Sequence, residues 1–120
     1  MTMVETRKNF LIAEDESMIA MMLEDIIETL GHDVAAVVDS CSAAMQVLEQ
    51  GHVNAAILDL NLSDGESWPL VQQLQQRGIP FLVASGDNAA TPPDGVKPVQ
   101  KLAKPFSLTS LEEALSTLDG

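Results

Sequence analysis

Short apolar segments alternate with amphipathic segments along this chain of 120 residues. One of the apolar segments is Ala55–Leu60, in which Asp59 is the only residue that is not apolar. Apolar runs this short are typical of strands that are buried on both faces of a parallel sheet. The same reasoning predicts four further strands, at Phe10–Ala13, Asp33–Val38, Phe81–Ala84 and Val99–Ala103.

Helices are predicted after four of these strands, where apolar residues recur three and four positions apart. The first three end at glycines, and the last begins near Ser107. Asp15 or Ser17 is the expected cap of the first helix, and Ser40 or Ser42 that of the second. The glycines that close the first three helices are Gly31, Gly51 and Gly78.

Two segments depart from this alternation. Residues Asn61–Ser67 are predicted to form a polar loop, and Asp87–Pro98 holds prolines and a glycine where a fourth helix is expected. That helix is therefore predicted to be reduced or absent. The whole pattern predicts an α/β fold of the (βα)5 type, a doubly wound parallel sheet, with residues 1–120 forming a single domain.

Composition narrows the class of function. Eighteen acidic and six basic residues give a net charge of −12, which argues against direct binding to nucleic acid. No apolar run is long enough to span a membrane, and residues 1–8 lack the apolar core of a secretory signal. A single cysteine, Cys41, excludes an internal disulfide and fits a cytoplasmic location.

Polar side chains follow the predicted strands at their carboxyl ends. Glu14 and Asp15 follow the first strand, Asp59 lies near the end of the third, and Ser85 and Lys104 follow the fourth and fifth. Parallel strands place their carboxyl ends at one edge of the sheet, where α/β proteins bind ligands. We therefore expect these side chains to form one site.

The chemistry of this set indicates phosphoryl transfer. Three carboxylates in one place repel each other unless a cation intervenes, and oxygen ligands without His or Cys favour Mg²⁺. A magnesium site with open positions can promote transfer of a phosphoryl group onto Asp59, because that reaction needs mainly positioning and charge neutralisation. Lys104 and the Ser85 hydroxyl are then expected to hold the phosphoryl oxygens.

This combination, together with the segment Lys104-Pro105-Phe106, resembles the receiver domain of two-component response regulators. The resemblance covers roughly Phe10 to Leu118. It implies a flavodoxin-like fold with strand order 2-1-3-4-5, a histidine kinase as phosphodonor, and a signal that passes to a downstream protein by contact. It also implies that Asp59 is the phosphoacceptor.

The same resemblance implies the remaining site roles. Asp15, Asp59 and the backbone carbonyl of Asn61 would ligate Mg²⁺, with Glu14 acting through water. Ser85 would take the place of the switch serine or threonine, and Lys104 that of the lysine that contacts the phosphoryl group.

Two features set this chain apart from most of that family. Lys101 stands where family members usually carry a Tyr or Phe, so the aromatic switch residue is missing. The segment Pro80–Gly86 resembles the PFxFATG motif of an atypical alphaproteobacterial subgroup, with Val83 and Ser85 in place of the motif's Phe and Thr. That subgroup has a reduced fourth helix and is often served by histidine kinases of the HWE or HisKA2 type.

Two other functions remain open from the sequence. One is a pseudo-receiver, a docking module that never carries phosphate. The other is a flavodoxin-like nucleotide binder, which ranks last because it needs a phosphate-binding loop after the first strand. Glu14 and Asp15 would repel phosphate at that position.

Overall fold

The computed structural model of the protein describes residues 7–85, 93–96, 99–103 and 107–116. Within these ranges, the helices and the strands of the main sheet follow the predicted order. The strands are β1 Asn9–Ala13, β2 Asp33–Val38, β3 Ala55–Asp59, β4 Asn61–Leu62, β5 Gly65–Glu66, β6 Phe81–Ser85 and β7 Lys101–Ala103. The helices are α1 Ser17–Thr29, α2 Cys41–Glu49, α3 Trp68–Arg77 and α4 Leu108–Ser116.

Five of the strands form one parallel sheet in the order β2-β1-β3-β6-β7. Numbering those five strands alone along the chain gives 2-1-3-4-5, so the predicted flavodoxin-like, doubly wound fold is confirmed. β3 is the central strand and is buried along its whole length. Its register with β6 places Asp59 opposite Ala84, one residue before Ser85. The carboxyl ends of the central strands therefore lie at one edge.

Apolar side chains fill a core on each face of this sheet. One core lies under α2 and α3 and includes Leu58, Leu70 and Leu74. The other lies under α1 and α4 and includes Ile57, Leu23 and Leu111. Neighbouring residues of β3 thus point into opposite cores, as the period of two in a strand requires.

Helix ends show where local sequence determines the backbone. Gly31 follows α1 with a φ of 95°, and Gly78 ends α3 with a φ of 69°. Glycine adopts this left-handed conformation without the steric cost that a Cβ would bring. The predicted ends of the first and third helices are confirmed.

The segment between β3 and α3 is not the simple polar loop that was predicted. Asn61–Leu62 and Gly65–Glu66 pair as a short antiparallel hairpin, and Leu62 is buried. The buried leucine packs in the core under α2 and α3, which anchors the hairpin to the domain. A two-residue strand is too short for its pattern to be recognised in sequence.

Other boundaries differ slightly from expectation. β7 begins at Lys101 rather than at Val99. Glu16 occupies the N-cap position of α1, and its side chain makes no cap hydrogen bond there, so the cap predicted from Asp15 or Ser17 is not found. Between β6 and β7, the described residues 93–96 form a turn rather than a helix, as expected for a reduced fourth helix. Residues 86–92 and 97–98 lie outside the described ranges. None of the helices in the described ranges is long and apolar enough to cross a membrane.

Candidate functional site

The first acidic pair lies where β1 ends. The Glu14 backbone N–H donates to the carbonyl of Val38 at 2.9 Å, which extends the pairing of β1 with β2 by one residue. The Glu14 side chain is 3% exposed, and its Oε2 accepts from the N–H of Glu16 at 3.2 Å. Asp15 is exposed. The pair therefore combines one buried, fixed carboxylate with one that faces solvent.

Asp59 is the last residue of β3 and is 9% exposed. Its Oδ1 accepts from the backbone N–H of Asn61 at 3.1 Å, which fixes the orientation of the carboxylate. Its backbone carbonyl accepts from the Ser67 hydroxyl at 2.9 Å. The carboxylate thus lies at the rim of the sheet, held by the hairpin that follows it.

Glu14, Asp15 and Asp59 form one cluster, in which an oxygen of each carboxylate lies within 4.8 Å of the others. Three converging oxygen ligands without nitrogen or sulfur suit a hard cation such as Mg²⁺. Two of the three side chains are buried, and gathering negative charge with little water is costly unless a cation offsets it. The donor set therefore fits Mg²⁺.

Ser67 contributes to the site although the sequence analysis assigned it no role. It is fully buried, and its N–H donates to the carbonyl of Leu60 at 2.8 Å while its hydroxyl holds the Asp59 carbonyl. Ser67 stands at the N-cap of α3, yet its side chain makes no cap bond there. Its hydroxyl is used to fasten the start of α3 to the end of β3. A serine before a helix is a common cap signal, so the sequence alone does not reveal this second use.

Asp64, at the tip of the hairpin, connects the site to α2. Its two carboxylate oxygens accept from the backbone N–H groups of Cys41 and Ser42, at 2.8 and 3.1 Å. These two hydrogen bonds hold the pKa of Asp64 below its usual range. Ser40 caps the same helix by accepting from the N–H of Ala43, which confirms one of the two predicted caps. The end of β3 is therefore tied to the start of α2.

The remaining predicted site residues are described only in part. Ser85 ends β6 and pairs with Ala103 of β7, so its backbone lies at the same edge as Asp59. Asn61 lies two residues after Asp59 and is exposed. Lys101, the first residue of β7, is also exposed. Lys104, the predicted phosphate-contacting residue, lies outside the described ranges.

A doubly wound sheet in this strand order, with acidic side chains at its carboxyl edge, defines a CheY-like receiver fold. The chain belongs to the response regulator receiver domain family, whose family model matches residues 10–116. It is therefore a signalling domain of the two-component type.

Relatives point to the atypical subgroup that the motif in β6 suggested. The chain is 32% identical over 111 residues to the phyllosphere-induced regulator PhyR of Methylorubrum extorquens, covering 88% of this chain and 41% of PhyR. It is 37% identical to SdrG from Sphingomonas melonis Fr1, with a TM-score of 0.79 and 96% and 98% of the two chains covered. The receiver domain of Erythrobacter litoralis PhyR is 25% identical, with a TM-score of 0.82 and coverage of 93% and 89%.

Proposed function

We propose that this protein is a phosphoacceptor receiver in which Asp59 accepts a phosphoryl group from a histidine kinase in a Mg²⁺-dependent reaction. The observation that carries the proposal is the convergence of the Glu14, Asp15 and Asp59 carboxylates within 4.8 Å at the edge of the sheet. We further propose that residues 1–120 act as one receiver domain in the cytoplasm. The likeness to SdrG over nearly the full length of both chains supports a single-domain role.

Each residue of the cluster has a distinct part in the proposed reaction. Asp15 and Asp59 would ligate the ion together with the Asn61 carbonyl, and buried Glu14 would act through water. The bound ion would neutralise charge on the phosphoryl oxygens during transfer. The Asn61 N–H orients the Asp59 carboxylate through Oδ1.

The chemical step is a displacement at phosphorus. One Asp59 oxygen forms a bond to phosphorus, the bond from phosphorus to the donor imidazole nitrogen breaks, and the imidazole leaves with a proton from water. The product is an acyl phosphate on Asp59. Lys104 and the Ser85 hydroxyl are the proposed contacts to the phosphoryl oxygens, and the protein acts as a signalling domain that catalyses only its own modification.

Regulation and output belong to the same proposal. The resemblance of Pro80–Gly86 to the PFxFATG motif favours a kinase of the HWE or HisKA2 type, and the signal would pass to a downstream protein by contact. The aromatic switch residue is replaced by Lys101, which is exposed. The output would therefore rely on a change around Ser85 and Lys104 rather than on an aromatic ring turning inward.

The experiment is intact-mass measurement after incubation with acetyl phosphate and Mg²⁺. We expect a gain of one phosphoryl group in the wild type, and none with EDTA or in Asp59→Asn. Asp25→Asn is the matched control, because Asp25 is an exposed carboxylate on α1 away from the cluster. An unchanged wild-type mass, or a gain that survives in Asp59→Asn, would contradict the proposal and favour a docking module that never carries phosphate.

A further inference from the structure

A groove lies beside the acidic cluster, between α1, β2 and the start of α2. Its volume is about 490 Å³, within the range of about 300–1,000 Å³ that ligand-binding pockets occupy. Four carboxylates line the groove: Glu14 and Asp15 belong to the acidic cluster, whereas Glu24 and Asp39 do not. The groove is therefore continuous with the site but extends beyond it.

The floor and one wall of the groove are apolar. Ala20, Val38 and Ala43 line it, together with two large side chains that are unusually exposed, Met21 at 64% and Val37 at 41%. Met18, one helical turn before Met21, is 82% exposed and continues this apolar surface along α1. Contiguous exposed apolar side chains mark protein contact surfaces, and methionine adapts its shape to varied partners.

The rim of the groove is acidic. Glu24 lies on the α1 side and Asp39 at the end of β2, and among the described residues that line the groove none is basic. The described residues place neither Glu24 nor Asp39 in an ion pair. A bound divalent ion would offset Glu14 and Asp15 but would leave these two carboxylates uncompensated. The surface therefore combines an apolar floor with a negative rim.

We propose that this groove is a docking site for a protein segment that presents lysine or arginine side chains beside apolar ones, as a basic amphipathic helix does. Charge complementarity selects such an occupant, since Glu24 and Asp39 would pair with its cations while Met21 and Val37 bury its apolar face. The inference does not depend on phosphorylation of Asp59. It assigns Glu24 and Asp39, which lie outside the metal cluster, a role in partner recognition.

The test uses a synthetic amphipathic peptide with lysines on one helical face and leucines on the other, titrated into ¹⁵N-labelled protein without any phosphodonor. We expect saturable shifts of the amide signals of Ala20, Met21, Glu24, Val37, Asp39 and Ala43. The double substitution Glu24→Gln/Asp39→Asn should weaken binding about tenfold, because two ion pairs at a partly desolvated rim are lost. Met21→Gln should weaken it as well, and Met21 is exposed enough for the fold to be retained.

Matched controls separate docking from general attraction to an acidic protein. Glu112→Gln/Glu113→Gln removes the same charge from the exposed face of α4 and should leave the affinity unchanged. A peptide with glutamates in place of the lysines should not bind. Equal losses in both double variants, or shifts spread over other acidic surfaces, would overturn the proposal. Groove shifts that follow protein concentration alone would assign the surface to a second copy and would also overturn it.

The same experiment is independent of the phosphoacceptor proposal. A protein that binds the peptide in the groove but gains no mass with acetyl phosphate would support docking and contradict phosphorylation. A protein that gains the phosphoryl group but shows no saturable shifts in the groove would support phosphorylation and contradict docking.

Discussion

At the scale of single residues, the site depends on how firmly Asp59 is held. The Asn61 N–H holds its carboxylate and the Ser67 hydroxyl holds its backbone carbonyl, so one residue is fixed at both side chain and main chain. Neither interaction involves another charged group. These two hydrogen bonds therefore fix the orientation of Asp59 at the edge of the sheet.

Ser67→Ala tests the main-chain part of this arrangement. Ser67 is fully buried, so its loss leaves the Asp59 carbonyl without that partner, at an expected cost of about 1–3 kcal/mol in the free energy of unfolding. Urea denaturation measures this cost. Ser116→Ala is the control, because the Ser116 hydroxyl donates to the Glu113 carbonyl at an exposed position. Equal losses of unfolding free energy in the two variants would show that the buried hydrogen bond to Asp59 stabilises the domain no more than an exposed one.

His32 lies at the opposite end of the sheet from Asp59 and makes the stability of the folded domain depend on pH. Its Nδ1 accepts from the Lys8 N–H at 3.0 Å, and its ring lies edge-on to Phe10. Burial and the nearby Lys8 charge lower the pKa of His32, so the folded protein favours the neutral ring. The stability from this group is complete above about pH 6.5, the ordinary histidine value, and is lost as the pH falls below it.

The measurement compares urea midpoints at neutral and mildly acidic pH. The wild type should lose more stability on acidification than His32→Gln, in which this titration is absent. His52→Gln changes an exposed histidine and should behave like the wild type. If wild type and His32→Gln respond identically to pH, the neutral ring is not what the folded state prefers.

At the scale of elements, the hairpin β4–β5 is the part that links the site to the rest of the domain. It begins two residues after Asp59 and carries Asp64 at its tip, which accepts from two N–H groups at the start of α2. Ser63 adds a hydroxyl bond to the Asp39 carbonyl at 2.9 Å. A displacement of the segment after Asp59 would therefore reach the start of α2 and the groove beside it.

Asp64→Asn should destabilise the domain, because an amide offers one acceptor oxygen where the carboxylate offers two, and it loses the favourable charge at a helix N-terminus. Since the pKa of Asp64 is lowered in the folded state, its contribution is present above about pH 3.9 and is lost as the pH falls through the folded-state value. Urea midpoints of wild type and variant should differ at neutral pH and converge in acid. Asp25→Asn should show no such difference, and a constant gap at all pH values would contradict the charge-based explanation.

Elements differ in how well their sequence predicts them. The central strands and the glycine-terminated helices were predicted because their signals are local: apolar runs and a residue that tolerates positive φ. The hairpin was missed because its two-residue strands are too short to show a pattern, and the Asp64 cap was missed because Asp64 and Cys41 lie more than twenty positions apart in the sequence. The convergence of Glu14, Asp15 and Asp59 was predicted correctly, since parallel strands bring their carboxyl ends together whatever the sequence separation.

At the scale of the whole molecule, β3 joins the two cores and carries Asp59, the proposed phosphoacceptor. Ile57 and Leu58 are buried on opposite faces, so one strand is packed by all four helices before it ends at Asp59. The position of Asp59 is thus set by a strand that is buried along its whole length. Asp59 lies at the rim of the sheet because of the strand order. Its proposed chemistry depends on carboxylates at the ends of two strands, β1 and β3.

Ile57→Ala and Leu58→Ala test this role of β3. Each removes a fully buried aliphatic side chain and should cost about 2–5 kcal/mol, a large share of the about 5–15 kcal/mol that stabilise a domain. Met18→Ala is the control, since Met18 is largely exposed, and it should change stability by about 0.5 kcal/mol or less. Guanidinium or urea unfolding gives the comparison. A small effect in one of the two strand variants would mean that only one face of the sheet forms a true core.

Manganese titration followed by NMR tests the metal site most directly, because Mn²⁺ replaces Mg²⁺ at oxygen sites and broadens nearby amide signals. At a low ratio of ion to protein, we predict that signals around Glu14, Asp15 and Asp59 broaden first, that added Mg²⁺ restores them, and that Asp15→Asn and Asp59→Asn each weaken the effect. Broadening that begins elsewhere on this acidic surface, or that is unchanged in both variants, would contradict a divalent-cation site at the edge of the sheet.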